Sequence, residues 1–224
     1  MKLTRRSALS MTGGAVVVAA LGYVGWRRFA PGPAPVVAAE SPPQSATIAA
    51  DDPRVAERSL GDANAKTVVH EYFSLTCTHC AAFARNTMPA VEKDLIAPGK
   101  LRFVYHDFPL DGLALSAAMV ARSLPPTQYH PFVTALMASQ DRWAFTQGIN
   151  NIEEIWKLAA LAGMGRATFD KAIADDNLRN WILQQRQADQ DHWKIDATPS
   201  FVINGQTYAG ERSYDAFRKL LPEV

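Results

Sequence analysis

The chain has two cysteines, three positions apart as Cys77-Thr78-His79-Cys80, and they stand where a β-rich apolar run gives way to a helical pattern. Two cysteines scattered at random over 224 residues would fall at that spacing roughly one time in a hundred. Residues 68–75 read as a buried strand, and Ala81-Ala82-Phe83-Ala84-Arg85 reads as a helix. A strand-to-helix junction puts the first sulfur among unpaired backbone N–H groups, at the positive end of the helix dipole. That environment favours thiolate, the species that performs disulfide exchange. A structural staple is the weaker alternative. Closing so short a loop contributes about 2 kcal/mol, against about 4.7 kcal/mol for a loop of about 100 residues.

Periodicity along the chain supplies the fold class. Residues 66–75 form a first strand, and residues 77–95 a helix that Pro89 should kink and Pro98-Gly99 should end. Residues 101–108 form a second strand, stopped by Pro109. From Leu113 to about Trp193 the pattern is helical. One helix carries Ile152, Ile155, Trp156 and Ala159, with Asn151 as its cap and Gly163 at its end. Residues 199–203 and 206–209 are strands joined by the hairpin turn Asn204-Gly205, and Ser213 caps a last helix with Phe217, Leu220 and Leu221. The order is β-α-β, a helical block, then β-β-α. This is an α/β chain with a thioredoxin-like fold and an inserted helical domain.

Charge divides the chain. Lys2, Arg5, Arg6, Arg27 and Arg28 lie in the first 28 residues, which hold no acid. Without those five, 18 basic side chains face 22 acidic ones, so the body has no cationic bias toward nucleic acid. A basic start followed by the uncharged residues 8–26 reads as an export segment. Thr4-Arg5-Arg6-Ser7 resembles a twin-arginine signal, and the general secretory route fits equally well. Val37-Ala38-Ala39 offers a cleavage site, yet 19 apolar residues also suffice for a membrane anchor. The Pro- and Ala-rich residues 31–45 read as an extended spacer. The domain reading is therefore leader and linker over 1–50, a first thioredoxin-like half over 51–112, the helical insertion over 113–193 and the second half over 194–224.

Three segments resemble the DsbA family of bacterial periplasmic thiol-disulfide oxidoreductases. They are Glu71-Tyr72-Phe73-Ser74-Leu75-Thr76-Cys77-Thr78-His79-Cys80, Asp107-Phe108-Pro109-Leu110 and Thr198-Pro199-Ser200-Phe201-Val202-Ile203-Asn204-Gly205. The resemblance covers residues 61–221 and implies exchange of disulfides with other proteins. It also implies a periplasmic location, cysteine-containing exported proteins as substrates and reoxidation by a DsbB-like membrane quinone reductase, with no cofactor. DsbA itself has proline at the position of Thr78 and valine at that of Thr198, so the direction of electron flow stays open between an oxidase and a reductase or isomerase.

Cys77 is the expected solvent-facing nucleophile and Cys80 the more buried resolving thiol. His79, between them, is placed to stabilise the thiolate by hydrogen bonding or charge. The resemblance implies that Pro199 is cis and that the Thr198 backbone pairs with an extended substrate beside Thr78 and the sulfurs. It also implies that Glu71 is a buried acid near Cys80 that relays a proton; the basic residue that often partners such an acid is missing, with Phe103 and Val104 where it would sit. Trp143, Trp156, Trp181 and Trp193 are expected in the core or at the domain interface. No metal is expected at the cysteines, because His70, His106, His130 and His192 show no paired spacing that would complete a zinc site. Covalent haem attachment fails because Ala81 follows the second cysteine. A non-enzymatic module holding a soft metal on the dithiol is the third reading. Residues 51–62 are too short for an added dimerisation segment, so a monomer is expected.

Overall fold

The β-prone residues Val68, Val69, Tyr72 and Phe73 make residues 67–73 a strand that is covered on both faces, and the rest of the sheet is arranged around it. A computed structural model describes residues 48–222. The leader, the cleavage site and the spacer lie outside the described residues. The sheet holds β1 (Arg58–Leu60), β2 (Thr67–Phe73), β3 (Leu101–Asp107), β4 (Ser200–Ile203) and β5 (Gln206–Ala209) in the order β1-β3-β2-β4-β5. β2 and β3 are parallel, with Glu71 opposite Tyr105 and Phe73 opposite Asp107. The other neighbours run antiparallel. Asn204 and Gly205 have φ of 51° and 77°, the conformation that a two-residue hairpin turn between twisted strands requires.

α1 (Thr78–Asn86) and α2 (Met88–Val91) lie on one face of the sheet. The expected single helix is interrupted at Thr87 rather than bent at Pro89. The Thr87 N–H still donates to Phe83 O, and its hydroxyl donates to Arg212 O at 2.7 Å. Pro89 then falls in the first turn of α2, where its missing N–H has no helical acceptor to disappoint. A π-helical turn over Glu92–Ile96 leads toward β3. Phe83 anchors α1 against Phe103, Phe201 and Phe217, with ring centroids 6.4, 4.7 and 5.6 Å away. Burying such a ring stabilises the fold by about 2–3 kcal/mol.

The helical block follows as α3 (Gly112–Ser123), α4 (Pro126–Ala138), a π turn (Asp141–Phe145), α5 (Asn151–Leu161), α6 (Arg166–Ile173) and α7 (Asp176–Trp193). α8 (Tyr214–Arg218) closes the chain, with Ser213 as its cap. The cap of α5 is Asn150, whose side chain accepts from the Glu153 N–H, and not the expected Asn151. Asn151 turns its amide to Trp143 O instead, at 2.8 Å. Of the four tryptophans among the described residues, Trp143 is fully buried, Trp156 meets the Phe169 ring edge-on and Trp181 lies under the Arg122 guanidinium. Trp193 covers Tyr72, Phe108, Ile195 and Val202 in a smaller second core.

β1 is absent from the sequence reading. It is three residues long, and its first side chain is a buried arginine, so no apolar alternation marks it. Arg58 is accommodated by the carbonyls of Ala56 and Pro53, at 3.2 and 2.9 Å. Gly61 ends the strand at φ +95°, where a Cβ would stand 2.4 Å from Leu101 O.

Candidate active site

The end of β2, the first turn of α1 and the loop before β4 meet at the two sulfurs. Cys77 is the N-cap of α1, and its Sγ accepts from the Cys80 N–H at 3.3 Å. On its other side the Cys77 thiol donates to Thr198 O at 3.2 Å. The Thr198–Pro199 peptide is cis, as the resemblance implies. Cys77 is only 9% exposed, so it is less open to solvent than expected. The Thr198 loop covers it, and its helix-cap position draws the sulfur inward. Cys80, at 1%, is the more buried of the two.

The two thiols are driven apart electrostatically. Cys77 is lowered from its ordinary 9.0 to about 5, first by the Cys80 thiol hydrogen bond, with burial opposing and with help from Thr198 and the N–H groups of Cys80 and His79. The Thr198 hydroxyl is buried with no hydrogen-bond partner of its own among the described residues. Cys80 is pushed well above its ordinary value by burial, then by the hydrogen bond to Cys77 and the Glu71 charge. The arrangement thus favours loss of the Cys77 proton, and with it the bond to Thr198 O, while Cys80 keeps its own proton and donates to Cys77.

His79 and Thr78 are exposed on the first turn of α1. The His79 ring turns to Glu211, with Nδ1 3.2 Å from Oε2, so its direct gift to Cys77 is its backbone N–H. Glu71 is buried and lines a cleft of about 450 Å³ together with Cys80, Phe83, Met88, Tyr105 and His130. Burial, and next the Cys77 charge, raise its carboxyl to about 8. Tyr105 stands opposite it on β3, so the strand supplies no base there.

Two supporting groups escaped the sequence reading. Gln140 donates to Leu75 O at 2.8 Å and to Cys77 O at 3.0 Å, fixing the turn into α1 from the helical block. Asp111 caps α3 through Ala114 N at 2.7 Å and accepts from the Thr76 hydroxyl at 2.6 Å. Neither residue is near the cysteines in sequence, and no motif marks either one. His70 and His106, unpaired by spacing, meet through the β2–β3 register with ring nitrogens 2.9 Å apart. Among the described residues no cluster of three or more His, Cys, Asp or Glu could hold a metal ion.

The family model described as "Thioredoxin" matches residues 54–223. The Wolbachia pipientis alpha-DsbA1 structure superposes with a TM-score of 0.68 at 28% identity, over 73% of this chain and 88% of that one. The chain is a DsbA-like member of the thioredoxin family. Bacillus subtilis BdbD shares the DsbA-like fold, with a TM-score of 0.63 at 19% identity over 73% of this chain and 90% of its own. Among curated relatives, a Rickettsia typhi protein provisionally named a protein-disulfide oxidoreductase is 26% identical over 65% of this chain, and a Rickettsia felis one is 26% identical over 79%. The chain spans 54% and 62% of the length of those two relatives. The thioredoxin-family match begins upstream of the expected Gly61 and takes in β1.

Proposed function

We propose that this protein is an exported thiol-disulfide oxidoreductase that introduces disulfides into other proteins through Cys77 and Cys80. The observation that carries the reading is the placing of the two sulfurs: Cys77 caps α1 and accepts from the Cys80 N–H at 3.3 Å beside the cis Thr198–Pro199 peptide, with the more buried Cys80 one turn on. A substrate thiolate attacks Cys77 Sγ of the oxidised pair, the Cys77–Cys80 bond breaks, and Cys80 leaves with the electron pair and takes a proton. A second substrate thiolate attacks the substrate sulfur of the mixed disulfide and expels Cys77 as thiolate. The substrate has lost two electrons and the enzyme has gained them. A DsbB-like membrane quinone reductase then removes them.

Each residue of the site has a part in that sequence. Lowering Cys77 to about 5 stabilises the reduced enzyme through its thiolate, and a stabilised reduced form makes the disulfide oxidising. The Cys80 proton passes through Glu71, whose carboxyl is neutral enough to give and take it near pH 8. Thr78 and the Thr198 backbone, ahead of Pro199, hold an extended substrate strand against Cys77. The export segment within residues 1–50 directs the chain to the periplasm, cleaved or kept as an anchor. No helix among the described residues is long and apolar enough to cross a membrane.

Thr198, where DsbA has valine, leaves a second reading in which the same site runs as a reductase or isomerase. Equilibration of the protein with glutathione buffers separates the two. A reduction potential near about −120 mV fits the oxidase, whereas one near about −270 mV overturns it.

A further inference from the structure

Glu211 is the charged group at the site that the exchange chemistry leaves unused. It follows β5 and Gly210, whose N–H donates to Pro199 O at 2.8 Å, so its loop is fastened to the start of β4. Its Oε2 lies 3.2 Å from His79 Nδ1, and the two side chains are 34% and 71% exposed. His79 sits between the cysteines on the first turn of α1. The contact turns the imidazole toward Glu211, so that His79 serves Cys77 through its backbone N–H alone.

We infer that Glu211 is a positioning residue: it tethers the His79 imidazole to the loop after β5 and so limits the stabilisation that the ring gives the Cys77 thiolate. The inference deepens the proposed exchange activity and rests on it. The physical effect is positional: the carboxylate occupies a ring nitrogen of His79 and holds the imidazole toward the loop after β5, away from Cys77. Arg212, the other charged side chain of this loop, donates to Ala209 O at 2.9 Å and makes no bond to His79 or Glu211.

The test is a cycle of the full chain with Glu211→Gln, His79→Ala and the double variant, each equilibrated with glutathione and titrated by its ultraviolet thiolate absorbance. Glu211→Gln should shift the equilibrium toward the reduced enzyme by about threefold to tenfold, a tenfold change being about 30 mV, and should move thiolate formation to lower pH. In the His79→Ala background the same substitution should change the equilibrium less than about twofold. A wild-type-like equilibrium for Glu211→Gln overturns the inference. So does a shift that persists without His79, since the carboxylate would then act on the sulfur directly. The proposed activity fails separately: wild-type protein that equilibrates with glutathione yet transfers no disulfide to a dithiol peptide sinks that reading and leaves the cycle readable.

Discussion

Glu71 is a buried carboxyl and has no cation beside it, among the described residues, to offset the loss of water. Its folded value of about 8 lies above the ordinary 4.5, and burial is the main cause. The sign follows from linkage. A group raised on folding contributes stability that is complete below the unfolded value and is lost as pH rises through the folded one. Glu71→Gln removes that loss. Under reducing conditions the variant should match the wild type near pH 4 and exceed it by about 3 kcal/mol at pH 7 in urea unfolding. Equal stability at pH 7 would mean that the carboxyl ionises freely where it sits. Cys77 has the opposite sign. Its value is lowered from 9.0 to about 5, so the reduced form holds its full thiolate stability above pH 9 and loses it as pH falls through 5.

Elements hold these residues through their ends more than through their middles. Asp111 joins two such ends, capping α3 with one oxygen and accepting from Thr76 with the other. Asp111→Ala should cost about 1–2 kcal/mol in denaturant unfolding, and Asp111→Asn, which keeps a capping oxygen, should recover most of it. A loss below about 0.5 kcal/mol for the alanine variant would show that the cap is dispensable. The strands, the hairpin turn and most of the helices were legible, because apolar periodicity and turn residues are local signals. β1 was not, since it is a strand only by virtue of pairing with β3, and its buried Arg58 breaks the pattern. The cap of α5 moved by one residue because two asparagines stand side by side, and tertiary contact with Trp143 decides which of them caps.

Across the molecule, sheet and helical block are tied by one buried polar cluster. Arg122 of α3 pairs with Asp107 at the end of β3, with side chains only 6% and 3% exposed. The Tyr129 hydroxyl of α4 donates to the other Asp107 oxygen at 2.9 Å, and Arg122 also reaches Arg54 O at 3.0 Å. Its guanidinium lies 4.7 Å from the Trp181 ring of α7. Arg122→Ala should cost about 3–5 kcal/mol, because it strands a buried carboxylate. The loss should be equal in the oxidised and reduced forms, since no atom of the cluster bonds to a sulfur. A loss confined to one redox form would place the cluster in the redox machinery.

The amino-acid sequence by itself determined the dithiol, its place at a strand-to-helix junction, and the β-α-β, helical, β-β-α order. All of these rest on interactions within a few residues. Tertiary structure alone decided how deep Cys77 lies, which way His79 turns, which carboxylate it meets, and that Gln140 and Asp111 brace the turn between them. Those outcomes depend on groups brought together from 35 to 132 positions away in the chain. Electrostatic partners at such separations are set by packing, and no local pattern encodes them.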